Sequence, residues 1–347
     1  MVLQQTAEIG PQTDPLTDTD LAVPEPKTGE ALLRVELCAV CHTELDQIEG
    51  RVATPLPRVP GHQVVGTVEQ LGDGVDPSLG GRRVGVGWIA SACGECRWCE
   101  RGEENLCPDF RATGRDIDGG YAEFMCVDAR FLHLLPDSLA SHQAAPMLCA
   151  GAIGLRSLRL AGLDDGQPLG LTGFGASNHL VLALARALLP NSPVMVWARN
   201  PDQRAHALEG GARWAGDTPD EPPRAPDAII DTTPVWTPVL AALEHLAPGG
   251  RLVINAISKE TGDRDRLAEL DYPRQLWREK EIKSVANVTR RDIADFLKVA
   301  AREQLEPVVR RLPLERANEA LRRIRHGDVH GAFVLDVADG QAARDID

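Results

Sequence analysis

Four cysteines, Cys93, Cys96, Cys99 and Cys107, fall three, three and eight residues apart in the segment CGECRWCERGEENLC. Thiolates at this spacing in a tight loop can converge on one ion, and four soft ligands suit a closed tetrahedral zinc site. A redox Cys-X-X-Cys pair would need only two of them. An iron–sulfur cluster could use four, but the loop carries polar residues rather than the apolar cover that such a cluster wants. Four thiolates around one dication leave a formal charge of about −2 and no open position, so this lobe braces a loop and does no chemistry.

A second pattern, PLGLTGFGASNHLVLALARAL, runs from a short apolar stretch through a glycine-rich turn into a helical periodicity. Gly173 and Gly175 allow a tight turn and the close approach of a phosphate to a helix N-terminus, whose free N–H groups and dipole favour an anion. Ala176 and Ser177 continue the turn, and Asn178 stands where a third glycine is usual, so looser packing between helix and strand is expected there. An acid that grips the ribose diol of NAD would stand about twenty-four residues after Gly173, at the end of the next strand. Ala198 and Arg199 are found instead. A guanidinium suits a 2′-phosphate, which favours NADP over NAD, although Arg199 also reads as a solvent-facing loop arginine.

The elements that must carry these groups differ between the two halves of the chain. At 347 residues the sequence exceeds the usual size of one core, so two domains are expected. The first 145 or so residues are rich in valine, glycine and proline, with alternating stretches such as ALLRVEL and QVVGTVEQLG that read as short twisted strands. From about residue 150, apolar strands alternate with helical patterns, as in PVMVWA, DQRAHALEGG, DAIIDTT, PVLAALEHLA and RLVINAI, which argues for βαβ units around a parallel sheet. EPPRAP, residues 221 to 226, reads as a connecting loop, and ANEALRRIRHGDVHGAFVLDV as an amphipathic helix and a closing strand. The last ten or so residues are expected to be disordered.

The N-terminus shows no basic start followed by an apolar run, and no long uncharged apolar stretch occurs, so a soluble, cytoplasmic protein without a membrane partner is expected. Eight cysteines are too few for a disulfide scaffold in a chain of this length. A formal charge of −14, from 51 acidic and 37 basic side chains, repels phosphate backbones and argues against nucleic acid.

The cysteine spacing, inside a β-rich half that precedes a βαβ half, resembles the zinc-dependent alcohol dehydrogenases of the medium-chain dehydrogenase/reductase superfamily. CHTELD (41 to 46), PGHQVVG (60 to 66), DGGYAEF (118 to 124), LCAGAIG (148 to 154), GFGASNH (173 to 179) and SVANVTRRD (284 to 292) carry the resemblance further. It runs from about residue 30 to 337, and GHQVVG, GFGASNH and SVANVTRRD look like a bacterial branch of zinc-binding or propanol-preferring enzymes. It implies an α/β fold: a GroES-like β-rich catalytic domain over residues 1–147 and 286–347, and a Rossmann dinucleotide-binding domain with a parallel sheet over 148–285. The active cleft would lie between them. Zinc is expected twice per chain, once structural and once catalytic.

By the same resemblance Cys41, His62 and Cys149 bind the catalytic zinc and leave one position open for water or substrate. Read alone, Cys41 and His62 would be a buried thiol and a buried imidazole. Thr43 would hydrogen-bond the reacting oxygen, His42 would face the cofactor phosphates, and Trp88 would form part of the substrate pocket wall. Ala256 and Ile257, in the NAI segment, would hold the nicotinamide amide through backbone groups. Glu44 belongs to the metal centre as the acid behind the histidine ligand, where relatives carry an aspartate; the longer acid is expected to reorient the ring. Asp46 stands where relatives end a proton relay with histidine, and is a poorer proton carrier near neutrality. Gln63 replaces a frequent glutamate and removes a negative charge behind the metal. Cys38 and Cys126 match no ligand position and read as small buried hydrophobes.

The implied reaction is hydride transfer between a nicotinamide cofactor and a small alcohol or aldehyde, by a homodimer or homotetramer. A catalytically impaired zinc- and nucleotide-binding relative, motivated by Glu44 and Asp46, is the alternative. A polyol-type relative is disfavoured by Cys149, since polyol enzymes of the superfamily often place a carboxylate there.

Overall fold

The computed structural model describes residues 1–327 and 331–337; the expectation of a disordered C-terminal tail lies outside the described residues. Backbone contacts divide the chain into two units, Met1–Ala152 with Asn287–Asp347, and Ile153–Ala286. Cys149 thus groups with the first unit, although the sequence boundary at 147/148 assigns it to the second.

The first unit is built on a seven-stranded sheet. Its long strand Glu30–Ala39 pairs antiparallel with Gln63–Leu71, Phe124–Asp128 and Ala332–Asp336, and Gln63–Leu71 pairs onward with Arg83–Val86. Val309–Pro313 joins Ala332–Asp336 in parallel. Leu33, Val35, Val64, Val84, Tyr121, Met125 and Phe333 pack on one another as its core.

Register settles what the ends of these strands bring together. Because Ala39 pairs with Gln63, Cys41 just past one strand and His62 just before the next emerge at the same end of the sheet. The ladder continues with Val64 opposite Val86, and its extension by two residues sets His62 opposite Trp88. Gly61, with φ +99, makes the entry to His62 possible: a methyl there would stand 2.4 Å from the Tyr121 ring and 2.9 Å from Cys38 Sγ. The third element arrives from a helix. Ser141–Pro146 ends in a proline, which has no N–H to continue the ladder, and the chain widens into a π-helical turn, Met147–Gly151.

In the second unit six parallel strands form one sheet, in spatial order Trp214–Gly216, Val194–Trp197, Leu169–Thr172, Ala228–Asp231, Arg251–Ile254, Glu281–Ser284. Numbered along the chain this is 3-2-1-4-5-6, the Rossmann order, whose direction reverses between Leu169–Thr172 and Ala228–Asp231. The strands 169–172, 194–197 and 228–231 are buried throughout, as the largely apolar strands of a parallel sheet covered on both faces are, with Thr172 and Asp231 the polar residues at their ends. Helices Ala176–Leu188, Pro201–Glu209 and Thr237–His245 make the crossovers, and EPPRAP is irregular as expected. Among the described residues no helix is long and apolar enough to cross a membrane.

Candidate metal centres and dinucleotide turn

Cys93, Cys96, Cys99 and Cys107 gather in one lobe with all four thiols free. Their sulfurs stand 3.5 Å apart for Cys93 and Cys107, 3.6 Å for Cys96 and Cys99, and 3.9 Å for Cys93 and Cys99. Zinc–sulfur bonds of about 2.3 Å at tetrahedral angles put neighbouring sulfurs about 3.8 Å apart, whereas a disulfide needs about 2.05 Å. The residues therefore fit a four-thiolate ion site and not a bridged pair. Cys96 caps the short helix Arg97–Glu100, and the backbone N–H groups of Cys99 and Trp98 bring its thiol down to about 7.

Cys41, His62 and Cys149 form the second cluster, with ligand atoms all within 4.8 Å of one another. His62 is fully buried, and its Nε2 has no hydrogen-bond partner while its Nδ1 donates to Glu44 Oε1 at 2.6 Å. A buried imidazole nitrogen that makes no hydrogen bond, turned among two thiols, is what a metal ligand with a fixed tautomer looks like.

Glu44 owes its position to local helix chemistry. Cys41 is the N-cap of helix His42–Ile48 and Glu44 its third residue, so Oε2 accepts the Cys41 N–H at 2.7 Å in a capping box while Oε1 is left for the histidine. The extra methylene lets one carboxylate serve both partners, and Glu44 stands behind the imidazole rather than among the ligand atoms.

Burial opposes charge on His62, yet Glu44 and Cys41 prevail and lift it to about 10. Burial raises Glu44 against the pull of His62. Hydrogen bonding from Cys149 carries Cys41 well below the usual thiol range, and Cys149 is pushed up by the same contact and by burial. One acid and two thiols around one imidazole make a buried pocket that favours a cation.

Thr43 is buried, with Oγ1 3.6 Å from Cys41 Sγ. Trp88 packs edge-on against the His62 ring at 4.9 Å, and the close approach of Leu148 O to Gly87 brings the π turn beside it. His42 Nε2 is buried without a hydrogen-bond partner. Asp46 is buried, and its Oδ1 accepts from Arg51 Nε at 2.6 Å, a pairing that the sequence reading did not anticipate. Burial raises Asp46 from the usual carboxylate range, against the charges of His42 and Arg51. Gln63 is buried with Oε1 unpartnered. Cys38 is fully buried, but Cys126 is only half-buried and lines a surface groove of about 680 Å³ beside the lobe, a groove that none of Cys41, His62 or Cys149 lines.

At the glycine turn, Gly173 has φ +76 and Gly175 caps the thirteen-residue helix that begins at Ala176 and continues through Ser177. No side-chain hydrogen bond caps that helix, and a methyl added at Gly175 would meet nothing within 4 Å, so there is room beside a helix N-terminus of the kind that favours an anion. The looser packing expected at Asn178 is not found. Its side chain is fully buried, and Nδ2 donates to Thr172 O at 3.0 Å and Gly173 O at 2.7 Å, tying the helix to the turn. Arg199 is exposed at the end of its strand, its carbonyl accepting from Arg204. In the NAI segment, Asn255 N donates to Asp231 O at 2.7 Å, Ala256 is half-buried and Ile257 is exposed. An ion pair between Asp231 and Lys259 at the same strand ends escaped the sequence reading, because nothing in the spacing of the two residues signals it.

Comparison with known proteins agrees over nearly the whole length. Residues 27–137 match the alcohol dehydrogenase GroES-like domain, and residues 213–335 match the zinc-binding dehydrogenase family. A probable alcohol dehydrogenase, AdhA, of Mycobacterium tuberculosis (strain CDC 1551 / Oshkosh) is 41% identical over 338 residues, covering 95% of this chain and 96% of its own. An alcohol dehydrogenase of Geobacillus stearothermophilus is 31% identical, covering 91% and 94%. Among solved structures, a cinnamyl alcohol dehydrogenase of Sorghum bicolor superposes with a TM-score of 0.79 at 28% identity, over 92% of this chain and 93% of that one.

Proposed function

The chain belongs to the zinc-dependent alcohol dehydrogenases of the medium-chain dehydrogenase/reductase superfamily, and on that premise we propose that Cys41, His62 and Cys149 hold its catalytic zinc. The reaction is hydride exchange between a small alcohol or aldehyde and a nicotinamide dinucleotide. Zinc bound by two thiolates and a neutral imidazole would supply Lewis acidity at the substrate oxygen. The four-thiol lobe takes a second, structural zinc.

The chain's own residues do the rest. Glu44 fixes the His62 tautomer by accepting from Nδ1, which keeps Nε2 turned toward the two thiols. Thr43, beside Cys41, orients the substrate hydroxyl and receives its proton. Trp88 covers the His62 ring and excludes water from that side. Asp46 is held by Arg51, so the proton that leaves Thr43 passes to water rather than to this carboxylate. Gly173, Gly175 and the N–H groups of Ala176, Ser177 and Asn178 receive the pyrophosphate; backbone groups of Ala256 and Ile257 hold the nicotinamide; His42 lies toward the phosphates. Arg199, in place of a ribose-binding acid, supports NADP over NAD. The assembly is a homodimer or homotetramer, which light scattering reads directly.

The observation that carries this reading is the buried, unpartnered His62 Nε2 among two thiols, backed by a carboxylate. Its test is oxidation of NADPH and NADH with a panel of short aliphatic and aromatic aldehydes, alongside zinc per chain. Turnover with two zincs is expected, and Arg199→Asp should shift preference toward NADH. Two zincs without turnover on any member of the panel would overturn catalysis in favour of a binding protein of the same fold, and an NADPH preference that survives Arg199→Asp would overturn the role of Arg199.

A further inference from the structure

Lys259 lies in the segment that follows strand Arg251–Ile254, and all three hydrogens of its ammonium group have acceptors. Nζ donates to Asp231 Oδ2 at 2.5 Å, Thr233 O at 2.6 Å and Val235 O at 3.1 Å. Its side chain is 8% exposed and that of Asp231 not at all. The other oxygen of Asp231 accepts from Thr172 Oγ1 at 2.6 Å and Thr233 Oγ1 at 2.7 Å. Thr172 is the residue before Gly173. One continuous polar chain therefore runs from Lys259 through Asp231 to the glycine turn.

The pair sits where the strand order reverses, between the ends of Leu169–Thr172 and Ala228–Asp231, the place at which such sheets bind ligands. Taking two charges out of water is costly, and apolar side chains of the same size would pack there at less expense. What apolar side chains could not do is fix two loops to one point. Backbone bonds from Asn255 N to Asp231 O and from Glu260 N to Pro234 O, both 2.7 Å, dock the 255–260 segment along 231–235, and Lys259 locks it from within. Asn178 braces the glycine turn independently, through Thr172 O and Gly173 O.

We infer that Lys259 and Asp231 are positioning residues for the dinucleotide: they hold the nicotinamide-facing segment Asn255–Ile257 at a set distance from the pyrophosphate turn. The inference rests on the dehydrogenase reading above. Because Asn178 holds the turn without help from Lys259, loss of the lysine frees the nicotinamide end and spares the phosphate end.

The experiment compares Lys259→Met with the parent holoenzyme, titrating whichever of NADH and NADPH it prefers and the matching fragment without nicotinamide, ADP-ribose or 2′-phospho-ADP-ribose. The expected result is dinucleotide binding weakened about tenfold and fragment binding by no more than about twofold, with KM for the dinucleotide rising more than kcat falls. Lys259→Arg, which keeps the charge and its donors, restores most of the loss. Equal weakening of both ligands, or none of the dinucleotide, overturns the inference. Where Lys259→Met does not fold, the double variant with Asp231→Asn, which leaves no unpaired buried charge, is judged by the same split. A parent enzyme that binds neither dinucleotide overturns the dehydrogenase reading itself, an outcome separate from a parent that binds and a variant that shows no split.

Discussion

The two cysteine clusters lie in one unit of the fold and use the same sulfur chemistry, yet they are supported differently. In the lobe, the thiols are contacted by one another and by backbone N–H groups, as where Cys93 N donates to Cys107 Sγ at 3.5 Å, and three of the four are half-exposed. At the centre of the unit, two thiols share the site with a fully buried histidine, a fully buried glutamate and a covering tryptophan. Four like ligands satisfy an ion completely, and the surrounding fold need only keep the loop in place. Three mixed ligands leave a position open, and the investment then goes into what stands behind them.

That contrast breaks most readily at the ligands. His62→Ala or Cys149→Ala should lower kcat/KM by about a thousandfold or more, since the charge stabilisation at the substrate oxygen is lost. Cys99→Ala should cost about one zinc per chain and lower the thermal midpoint by about 10 °C, while kcat/KM per folded chain stays within about threefold. If kinetics show Cys99→Ala losing activity per folded chain as His62→Ala and Cys149→Ala do, or calorimetry shows its thermal midpoint unmoved, the division of labour is wrong.

A gentler probe is Glu44→Gln, which keeps the shape but weakens the acceptor for His62 Nδ1; zinc affinity or activity should fall about 10- to 100-fold, measured by competition with a chelator. No counterpart of Glu44 exists among the described contacts of the lobe sulfurs.

The smallest effect concerns the seam that holds the lobe. Glu104, within the lobe, is buried and accepts from Arg290 N and Nε, both at 3.0 Å. His133 is buried near this pair; burial first, then the Arg290 charge, depress it to about 4, with Glu104 pulling the other way. Its unfolded value is about 6.5, so the unfolded chain binds this proton and the folded one does not. The stability that it contributes is complete above that value and declines as pH falls toward 4, by about 2 kcal/mol at pH 5. Denaturant titrations at pH 7.5 and 5 should show this loss in the parent and a flatter response in His133→Gln.

What the sequence discloses is what local spacing can encode. Cys93, Cys96, Cys99 and Cys107 are near neighbours, and the turn at Gly173 and Gly175 carries its own backbone logic, so both are legible before any fold is known. Cys41, His62 and Cys149 are far apart, and only the antiparallel register and the π turn unite them; without the family resemblance the first two read as ordinary buried residues. Side-chain partnerships across strand ends stay hidden for the same reason, as with Trp88 on His62, Arg51 on Asp46 and Lys259 on Asp231. Asn178 shows a different limit: the glycine rule foresees a steric misfit, whereas an amide can turn the same space into two hydrogen bonds.

The wide turn at Met147–Gly151 makes the proposed third ligand, Cys149, a matter of chain length as well as side-chain type. Such a turn holds one residue more than an ordinary helical turn, and removing Met147 or Leu148 would let the helix close up and swing the Cys149 thiol by about 100° around the axis set by Ser141–Pro146. This stretch should therefore accept exchanges such as Ala150→Ser far better than a one-codon deletion, an asymmetry that a library of both kinds would reveal at once.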